Sequence, residues 1–124
     1  MGTNMIDFTK TLTHDGIAIV KVRGWLEDYS CPYFLGCMRD LVREGHQEIV
    51  IDCESLGLLS SSCLNSLLRA RKQVREDSGQ IVLANVNTSI LEVIGFLGIK
   101  RLFGIHSTLE IALSKVRKKT QRQS

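Results

Sequence analysis

The residues of this 124-residue chain best suited to chemistry are three hydroxyls and a thiol in a row, Ser60-Ser61-Ser62-Cys63. They follow an apolar strand predicted over 48–52 and a short loop, and they begin an amphipathic helix. The first turn of a helix leaves backbone N–H groups unpaired at the positive end of the helix dipole, so it binds phosphate and other anions. The serine cluster is therefore the leading candidate for a functional site, although serine is also a favoured N-cap residue.

The charge pattern distinguishes this helix start from the later ones. Ser89-x-x-Glu92 and Ser107-x-x-Glu110 each predict a capping box, in which the glutamate offsets the positive end of the helix dipole. Positions 60–70 contain no acidic side chain. The pattern predicts that the serine helix keeps its affinity for an external or covalently attached anion.

Composition limits the classes of protein that the chain can represent. Its length fits one domain, and 44% hydrophobic with 23% charged residues is typical of a globular fold. Much of the formal charge of +3 lies near the end of the chain, where no aromatic side chain could stack on bases, so nucleic acid is not a predicted partner. No apolar stretch approaches the roughly 20 residues that cross a bilayer, so we expect a cytoplasmic protein without membrane insertion.

The positions of the cysteines in the sequence predict that their thiols are reduced and buried. They form no Cys-x-x-Cys pair and have no closely spaced histidine partners, so neither a metal nor a cofactor is predicted. An enzyme that uses Cys63 as a thiolate at a helix N-terminus is one hypothesis for this cysteine. No motif ties a histidine base to Cys63, which argues against that hypothesis. The four cysteines are Cys31, Cys37, Cys53 and Cys63.

Hydrophobic periodicity predicts a single α/β domain. The expected order is a hairpin over 6–22 that ends at Gly24, then helix, strand, helix, strand, helix, a short strand at Leu102-Phe103, and a last helix. Ser30 is the expected N-cap of the first helix. Strands that alternate with helices imply a mixed, mostly parallel sheet with an N-terminal antiparallel hairpin and about four helices. We expect a domain core over 5–117 and a disordered basic tail over 118–124.

The chain resembles the STAS family from Phe8 to Val116. The family has Gly-Glu-Leu-Asp after its first hairpin, where this chain has Gly24-Trp25-Leu26-Glu27, and an aspartate at the end of its central strand, where this chain has Asp52. Its Asp-Ser-Ser-Gly or Asp-Ser-Thr-Gly motif corresponds to the serine cluster, with Ser60 and Cys63 in place of the aspartate and the glycine. Three later segments are also similar, at 94–99, 102–103 and 109–113.

The resemblance implies a STAS-like fold and an anti-sigma factor antagonist without catalytic activity. It implies that Ser62, with Ser61 beside it, is the site of phosphorylation by an anti-sigma factor that is also a serine kinase. Phosphate at Ser62 would then release the partner, and Asp52 and Glu54 would either repel that phosphate or be solvated carboxylates without a role. The residues expected to bind the partner are Asp52, Glu54, Ser60, Ser61, Ser62, Cys63, Asn65 and Ser66.

A second hypothesis is a module that senses a small ligand. STAS domains are also similar to nucleotide- or lipid-binding accessory modules, and an unphosphorylated helix start can hold a nucleotide phosphate. The chain contains no Gly-x-x-x-x-Gly-Lys-Ser/Thr loop, which argues against an NTPase. The sequence leaves both hypotheses open and specifies no oligomeric state.

Overall fold

The computed structural model describes residues 6–76 and 79–123, except for the side chains of Arg101 and of residues 120–123. None of the helices in these ranges is both long enough and apolar enough to span a membrane. The strands are β1 Asp7–Leu12, β2 Ala18–Leu26, β3 Glu48–Leu59, β4 Gln80–Ala84 and β5 Gly104–His106. The helices are α1 Cys31–Arg43, α2 Ser61–Glu76, α3 Thr88–Phe96 and α4 Leu109–Gln123.

The five strands form one mixed sheet in the order β1-β2-β3-β4-β5. β1 pairs with β2 in an antiparallel hairpin, and every other neighbouring pair is parallel. The turn predicted at Asp15-Gly16 joins the hairpin strands, and Gly16 has a positive φ of 89° that glycine adopts readily. The α/β architecture predicted from the sequence is confirmed.

Both faces of the sheet are covered, as the run Ile49-Val50-Ile51 predicts. Ile49 and Ile51 belong to a large core that includes apolar residues of α1, α2 and α3. Val50 belongs to a smaller core on the α4 side, with Ala112 and Val116. Each of these three strand residues is at most 2% exposed, and burial of a side chain of this size stabilises the fold by about 1.5–3 kcal/mol.

β2 and β3 continue further than the sequence predicted. β2 passes Gly24 and ends at Leu26, and β3 passes Asp52 and ends at Leu59, where Leu26 and Leu59 are paired. The pairing continues across two register shifts, at Lys21/Arg23 and at Gly24/Trp25. Gly24, at the second shift, has a positive φ of 104°. The short loop predicted before the serine cluster is therefore wrong, because the strand pairing extends up to Ser60.

The start of α3 differs from the predicted capping box. The helix begins at Thr88, and the side chain of Asn87 accepts a hydrogen bond of 2.9 Å from the backbone N–H of Ile90. Ser89 is thus already inside the helix, and Glu92 lies beyond its first turn, which contains no acidic residue. The contrast drawn between the serine helix and α3 is wrong, since neither has an acid of its own at its start.

The start and the end of α4 also differ from prediction. Thr108 caps the helix, since its hydroxyl accepts a hydrogen bond of 3.1 Å from the backbone N–H of Ile111, so Ser107 is not the cap. The helix continues through 118–123, where the sequence predicted a disordered tail, and Ser124 lies outside the described residues. Lysine, arginine and glutamine are good helix formers, which explains why a basic sequence extends the helix.

An ion pair joins α4 to the first hairpin. Arg117 donates to Asp15 with an Nε–Oδ2 distance of 2.7 Å. The hydrogen bond from Arg117 holds the pKa of Asp15 well below its usual range. The ion pair stabilises the fold fully at a pH above the unfolded-state pKa of about 3.9, and this stabilisation is lost as the pH falls through the lower folded-state pKa. Exposed ion pairs of this kind contribute little to stability.

The last strand lies two residues later than predicted. Leu102 is part of a 3-10 turn over Lys100–Leu102, and Phe103 follows it as a buried residue. β5 then pairs with β4 through Gly104 and Ile105. The predicted strand is confirmed in kind and order, and its position is corrected.

The N-cap expected within the serine cluster is Ser60. Its hydroxyl accepts a hydrogen bond of 3.1 Å from the backbone N–H of Cys63, and its carbonyl accepts one of 2.9 Å from Leu64. Ser60 therefore serves the helix itself.

We expect Ser60→Ala to lower the free energy of unfolding by about 0.5–2 kcal/mol, because the Cys63 N–H loses its acceptor. Ser61→Ala is the matched control and should change stability by less than about 0.5 kcal/mol, since Ser61 is an exposed first-turn residue. Urea denaturation of both variants measures the difference. Equal stabilities would contradict the capping role.

A second prediction concerns Gly79, where the chain leaves α2 and enters β4. A Cβ at this position would lie 2.4 Å from the carbonyl oxygen of Gln47 and 2.6 Å from Val74 Cγ1. We expect Gly79→Ala to destabilise the fold by about 1–3 kcal/mol, as overpacking does. Gly36→Ala is the control, because a Cβ on this α1 residue meets nothing within 4 Å and alanine is the better helix former. Thermal unfolding should rank Gly79→Ala below wild type and Gly36→Ala at or above it.

Candidate functional site

Ser61 and Ser62 lie in the first turn of α2, and both are exposed to solvent. The turn is attached directly to the end of the sheet, since the Ser60 N–H donates a 2.8 Å hydrogen bond to the carbonyl of Leu26. The loop that follows β2 therefore begins beside the turn that follows β3. The predicted position of the serine cluster at an exposed helix start is confirmed.

The hydroxyl of Ser62 donates a hydrogen bond to the carboxylate of Asp28. Asp28 is an exposed residue of the loop between β2 and α1, and no sequence motif pointed to it. The signal is indirect, because it requires that β2 and β3 are already known to be parallel neighbours. Their ends then lie at the same edge of the sheet, and an acid after β2 is close to a serine after β3. α2 has no acidic residue in its own first turn, but the folded chain places the Asp28 carboxylate beside Ser62.

The loop that carries Asp28 is held by Ser30. The buried Ser30 hydroxyl donates to the carbonyl of Trp25 at 2.7 Å and accepts from the N–H of Glu27 at 2.9 Å. Ser30 stands at the predicted N-cap position, but its side chain bonds the loop and not the first turn of α1. The N–H of Cys31 closes the turn on the Glu27 carbonyl at 2.7 Å. Asp28 is thus presented to Ser62 by an ordered turn.

A disulfide between Cys31 and Cys63 links the two helix starts. The structure therefore differs from the predicted four reduced thiols, since it holds this pair oxidised, while Cys37 and Cys53 are free and buried as expected. The bond closes a sequence separation of 32 residues, for which the chain-entropy estimate gives a stabilisation of about 3–4 kcal/mol. While Cys63 is bonded to Cys31 it has no free thiol, so the disulfide form cannot use it as the nucleophile of the enzyme hypothesis.

Asp52 lies inside the protein and not on the predicted partner surface. It is 4% exposed, and its carboxylate accepts hydrogen bonds from the Asn85 side chain at 2.9 Å and from the Glu54 N–H at 3.2 Å. Seven residues of β3 separate Asp52 from the end of the strand, a length of about 23 Å. At that distance the interaction between Asp52 and a phosphate on Ser62 is weak, since the Coulomb energy of two charges falls with their separation. The repulsion that Asp52 could exert on such a phosphate is therefore weak, and so is that of Glu54, which is exposed and lies only two residues nearer to the end of β3.

The other predicted contact residues continue along α2. Asn65 is exposed and Ser66 is half-buried, and they follow Ser62 by three and four residues, on the same side of the helix. Ser66 also lines a groove of about 500 Å³ between α1 and α2. Three arginines line the same groove, namely Arg39, Arg43 and Arg69. The surface around the serine turn therefore joins a positively charged groove.

The two free thiols, Cys37 and Cys53, are buried. Burial raises the pKa of Cys53 to about 12, and the nearby Asp52 carboxylate adds to the effect. Burial likewise raises the pKa of Cys37. The raised pKa of both groups disfavours the reactive thiolate form.

Known proteins share this fold and its sequence pattern. "Putative anti-sigma factor antagonist BtrV" from Bordetella bronchiseptica is 26% identical over 98 residues, which are 79% of this chain and 84% of that protein. An anti-sigma factor antagonist from Mycobacterium paratuberculosis has a similar structure, with a TM-score of 0.83 and 23% identity, covering 93% of this chain and 97% of that one. The Bacillus cell fate determinant SpoIIAA in its phosphorylated form gives a TM-score of 0.69 at 18% identity, covering 89% of this chain and 99% of that one.

The family model for the STAS domain matches residues 9–112, which include β2 to β5, all of β1 but its first two residues, and the helix start that carries Ser62. The resemblance stated from the motifs is thus confirmed by the sequence match and by the strand order. The chain belongs to the STAS domain family.

Proposed function

We propose that this protein is an anti-sigma factor antagonist that acts in the cytoplasm by partner switching. Its partner is an anti-sigma factor with serine kinase activity, and its own role involves no catalysis. The single observation that carries the proposal is the exposed Ser62 hydroxyl, held by Asp28 in the first turn of α2 on a STAS fold. Two relatives are described as anti-sigma factor antagonists, and SpoIIAA has a phosphorylated form.

The unmodified surface has the composition of a protein-binding site. Tyr29 and Tyr33, next to the Asp28 loop and in the first turn of α1, are 56% and 69% exposed. Tyrosines at the centre of an interface contribute much of its binding energy, because they bury a large apolar area and keep a polar end. The arginine-lined groove beside Ser66 adds positive charge. A partner with an acidic edge around an apolar centre would match this surface.

Phosphorylation of Ser62 would replace one favourable contact with a repulsive one. A phosphoserine carries about −1.5 to −2 charges. At about 4 Å from the Asp28 carboxylate, each unit of charge costs about 1 kcal/mol in water, whereas the helix N-terminus returns only about 0.3–1 kcal/mol. The phosphate would therefore push the Asp28 loop away and place an unpaired charge in the contact surface. Both effects favour dissociation of the partner.

A nucleotide phosphate bound at the start of α2 would also lie beside the Asp28 carboxylate. A nucleotide phosphate at the start of α2 would have to displace Asp28 from Ser62 and would gain only the attraction of the helix dipole. We therefore favour partner switching. Titration of the purified protein with GTP and ATP separates the hypotheses, and tight nucleotide binding would favour the sensor.

We expect wild type and Ser62→Ala to bind the anti-sigma factor equally well and Ser62→Asp to bind it roughly tenfold or more weakly, a loss of about 1.4 kcal/mol. The alanine variant keeps the unmodified surface, while the aspartate variant places a negative charge beside Asp28. The partner is first recovered from extract of the source cells by pull-down with and without phosphatase. Isothermal titration with the purified partner then gives the affinities.

Ser61→Asp is the matched control for that series. It adds the same charge to the same helix turn, one residue from the Asp28 contact, so its loss of affinity should be the smaller one. Equal affinities for wild type, Ser62→Ala and Ser62→Asp would contradict the switch.

A fourth prediction isolates the role of Asp28 without any partner. Ser62→Asp should lower the free energy of unfolding by about 0.5–1 kcal/mol in wild type, because the two carboxylates repel each other. In the Asp28→Asn background the same change should be neutral or stabilising by about 0.3–1 kcal/mol, since only the attraction of the helix N-terminus remains. Glu27→Gln is the control background, which removes the adjacent carboxylate and should leave the cost of Ser62→Asp unchanged. Urea denaturation of the six proteins gives the coupling energy, and a coupling near zero would be inconsistent with the Asp28 contact.

A further inference from the structure

The two bonded cysteines lie at the starts of the two helices that meet beside Ser62. Cys31 is the first residue of α1, and Cys63 is the third residue of α2. Their Cα atoms are 5.7 Å apart, which is the usual separation for a disulfide. Asp28 precedes Cys31 by three residues, and Ser62 immediately precedes Cys63. The cross-link therefore joins the segment that carries the hydroxyl to the segment that carries its acceptor.

We propose that Cys31 and Cys63 form a reversible thiol–disulfide site, oxidised by hydroperoxides, that controls the phosphorylation of Ser62. This inference rests on the proposed function, since it assigns a second input to the same serine. In the oxidised protein the tether keeps Asp28 against Ser62. In the reduced protein the two segments can separate.

The compartment favours a switch over a permanent cross-link. An antagonist of an anti-sigma factor acts in the cytoplasm, where thiols are kept reduced and disulfides are usually transient. The dithiol is then the resting form, and the bond forms when oxidant is present. In an oxidising compartment the same bond would be a permanent cross-link. Its reduction by thioredoxin distinguishes a reversible bond from a permanent one.

The position of the pair explains why these two cysteines would bond to each other and the other two would not. Both sulfurs lie at helix N-termini, where the positive end of the dipole favours a thiolate. Cys37 lies within α1 and Cys53 within β3, and burial disfavours the thiolate of both. All four cysteines are buried, Cys31 and Cys63 included, so the selectivity comes from the 5.7 Å separation of the Cys31 and Cys63 Cα atoms and from the position of both at helix N-termini.

The reaction is a two-electron oxidation of the dithiol. One thiolate attacks an oxygen of hydrogen peroxide, the O–O bond breaks, and a sulfenic acid and water are formed. The second thiol then attacks the sulfenic sulfur, the S–O bond breaks, and a second water leaves as the S–S bond forms. Each peroxide is reduced to two waters, and a cellular dithiol such as reduced thioredoxin reverses the step by thiol–disulfide exchange.

The direction of control follows from the charges at the site. A phosphate on Ser62 repels Asp28, so the phosphorylated state needs the Asp28 loop to move away from the start of α2. The disulfide resists that movement because it fixes the start of α1 to α2. Oxidation should therefore slow phosphorylation of Ser62 by about tenfold and keep the protein in its partner-binding form, and reduction should restore phosphorylation.

The experiment compares fully reduced and peroxide-oxidised wild type, so it requires no substitution in the core. Mass spectrometry after alkylation should find one intramolecular Cys31–Cys63 bond that reduced thioredoxin removes. Amide hydrogen exchange over 27–31 and 61–64 should be at least several-fold slower in the oxidised protein. The anti-sigma factor kinase recovered by the pull-down should phosphorylate the oxidised protein about tenfold more slowly.

Variants assign the effect to the pair. Cys31→Ser and Cys63→Ser should each remove the response to peroxide, while Cys37→Ala and Cys53→Ala should keep it. Failure of peroxide to form the bond, a bond that thioredoxin cannot reduce, or equal exchange and equal phosphorylation in the two forms would each overturn the proposal.

The outcomes also separate this inference from the proposed function. If no kinase phosphorylates the reduced protein, the proposed function fails, and the bond and the exchange rates still decide whether the pair is a reversible tether. If the kinase acts equally on both forms, the redox control fails and the partner switch stands.

Discussion

The parallel pairing of β2 with β3 is the constraint on which the site depends. The two strands stay paired to Leu26 and Leu59, and the Ser60 N–H extends the pairing by one more hydrogen bond to Leu26. Strand ends that are hydrogen-bonded neighbours lie about 4.8 Å apart, so whatever follows each strand must meet. The Asp28 loop follows one strand and the serine turn follows the other. Most contacts of the site follow from that single register.

The register also determines what the start of α2 does electrostatically. A helix N-terminus with no acid in its first turn would be an open anion site, but Asp28 already occupies the space beside Ser62. Phosphorylation in this arrangement would exchange one anion for another instead of filling an empty site. In the proposed function such an exchange would move part of the backbone, because the displaced carboxylate belongs to a loop held by Ser30 and joined to α1. A change at one hydroxyl can thus alter the relation between two helices.

The two layers of helices keep that arrangement rigid. α1 and α2 share the larger core on one face of the sheet, and α4 closes the other face through Ala112 and Val116. The capping hydrogen bond of Ser60 and the buried hydroxyl of Ser30 position the two helix starts from opposite sides of the site. The serines therefore fall into two groups, since Ser60 and Ser30 bond the backbone while Ser61 and Ser62 face solvent.

The sequence by itself determined the order of strands and helices, the two-sided burial of Ile49-Val50-Ile51 and the helix start at the serine cluster, because periodicity and turn residues are local signals. It did not determine the far ends of β2 and β3 or the caps at Asn87 and Thr108. Strand length depends on the neighbouring strand, and the choice among adjacent capping residues depends on how the helix packs. The Asp28–Ser62 contact and the Cys31–Cys63 bond join residues 34 and 32 positions apart. Only the tertiary structure decided them, because no local pattern records which two strand ends become neighbours.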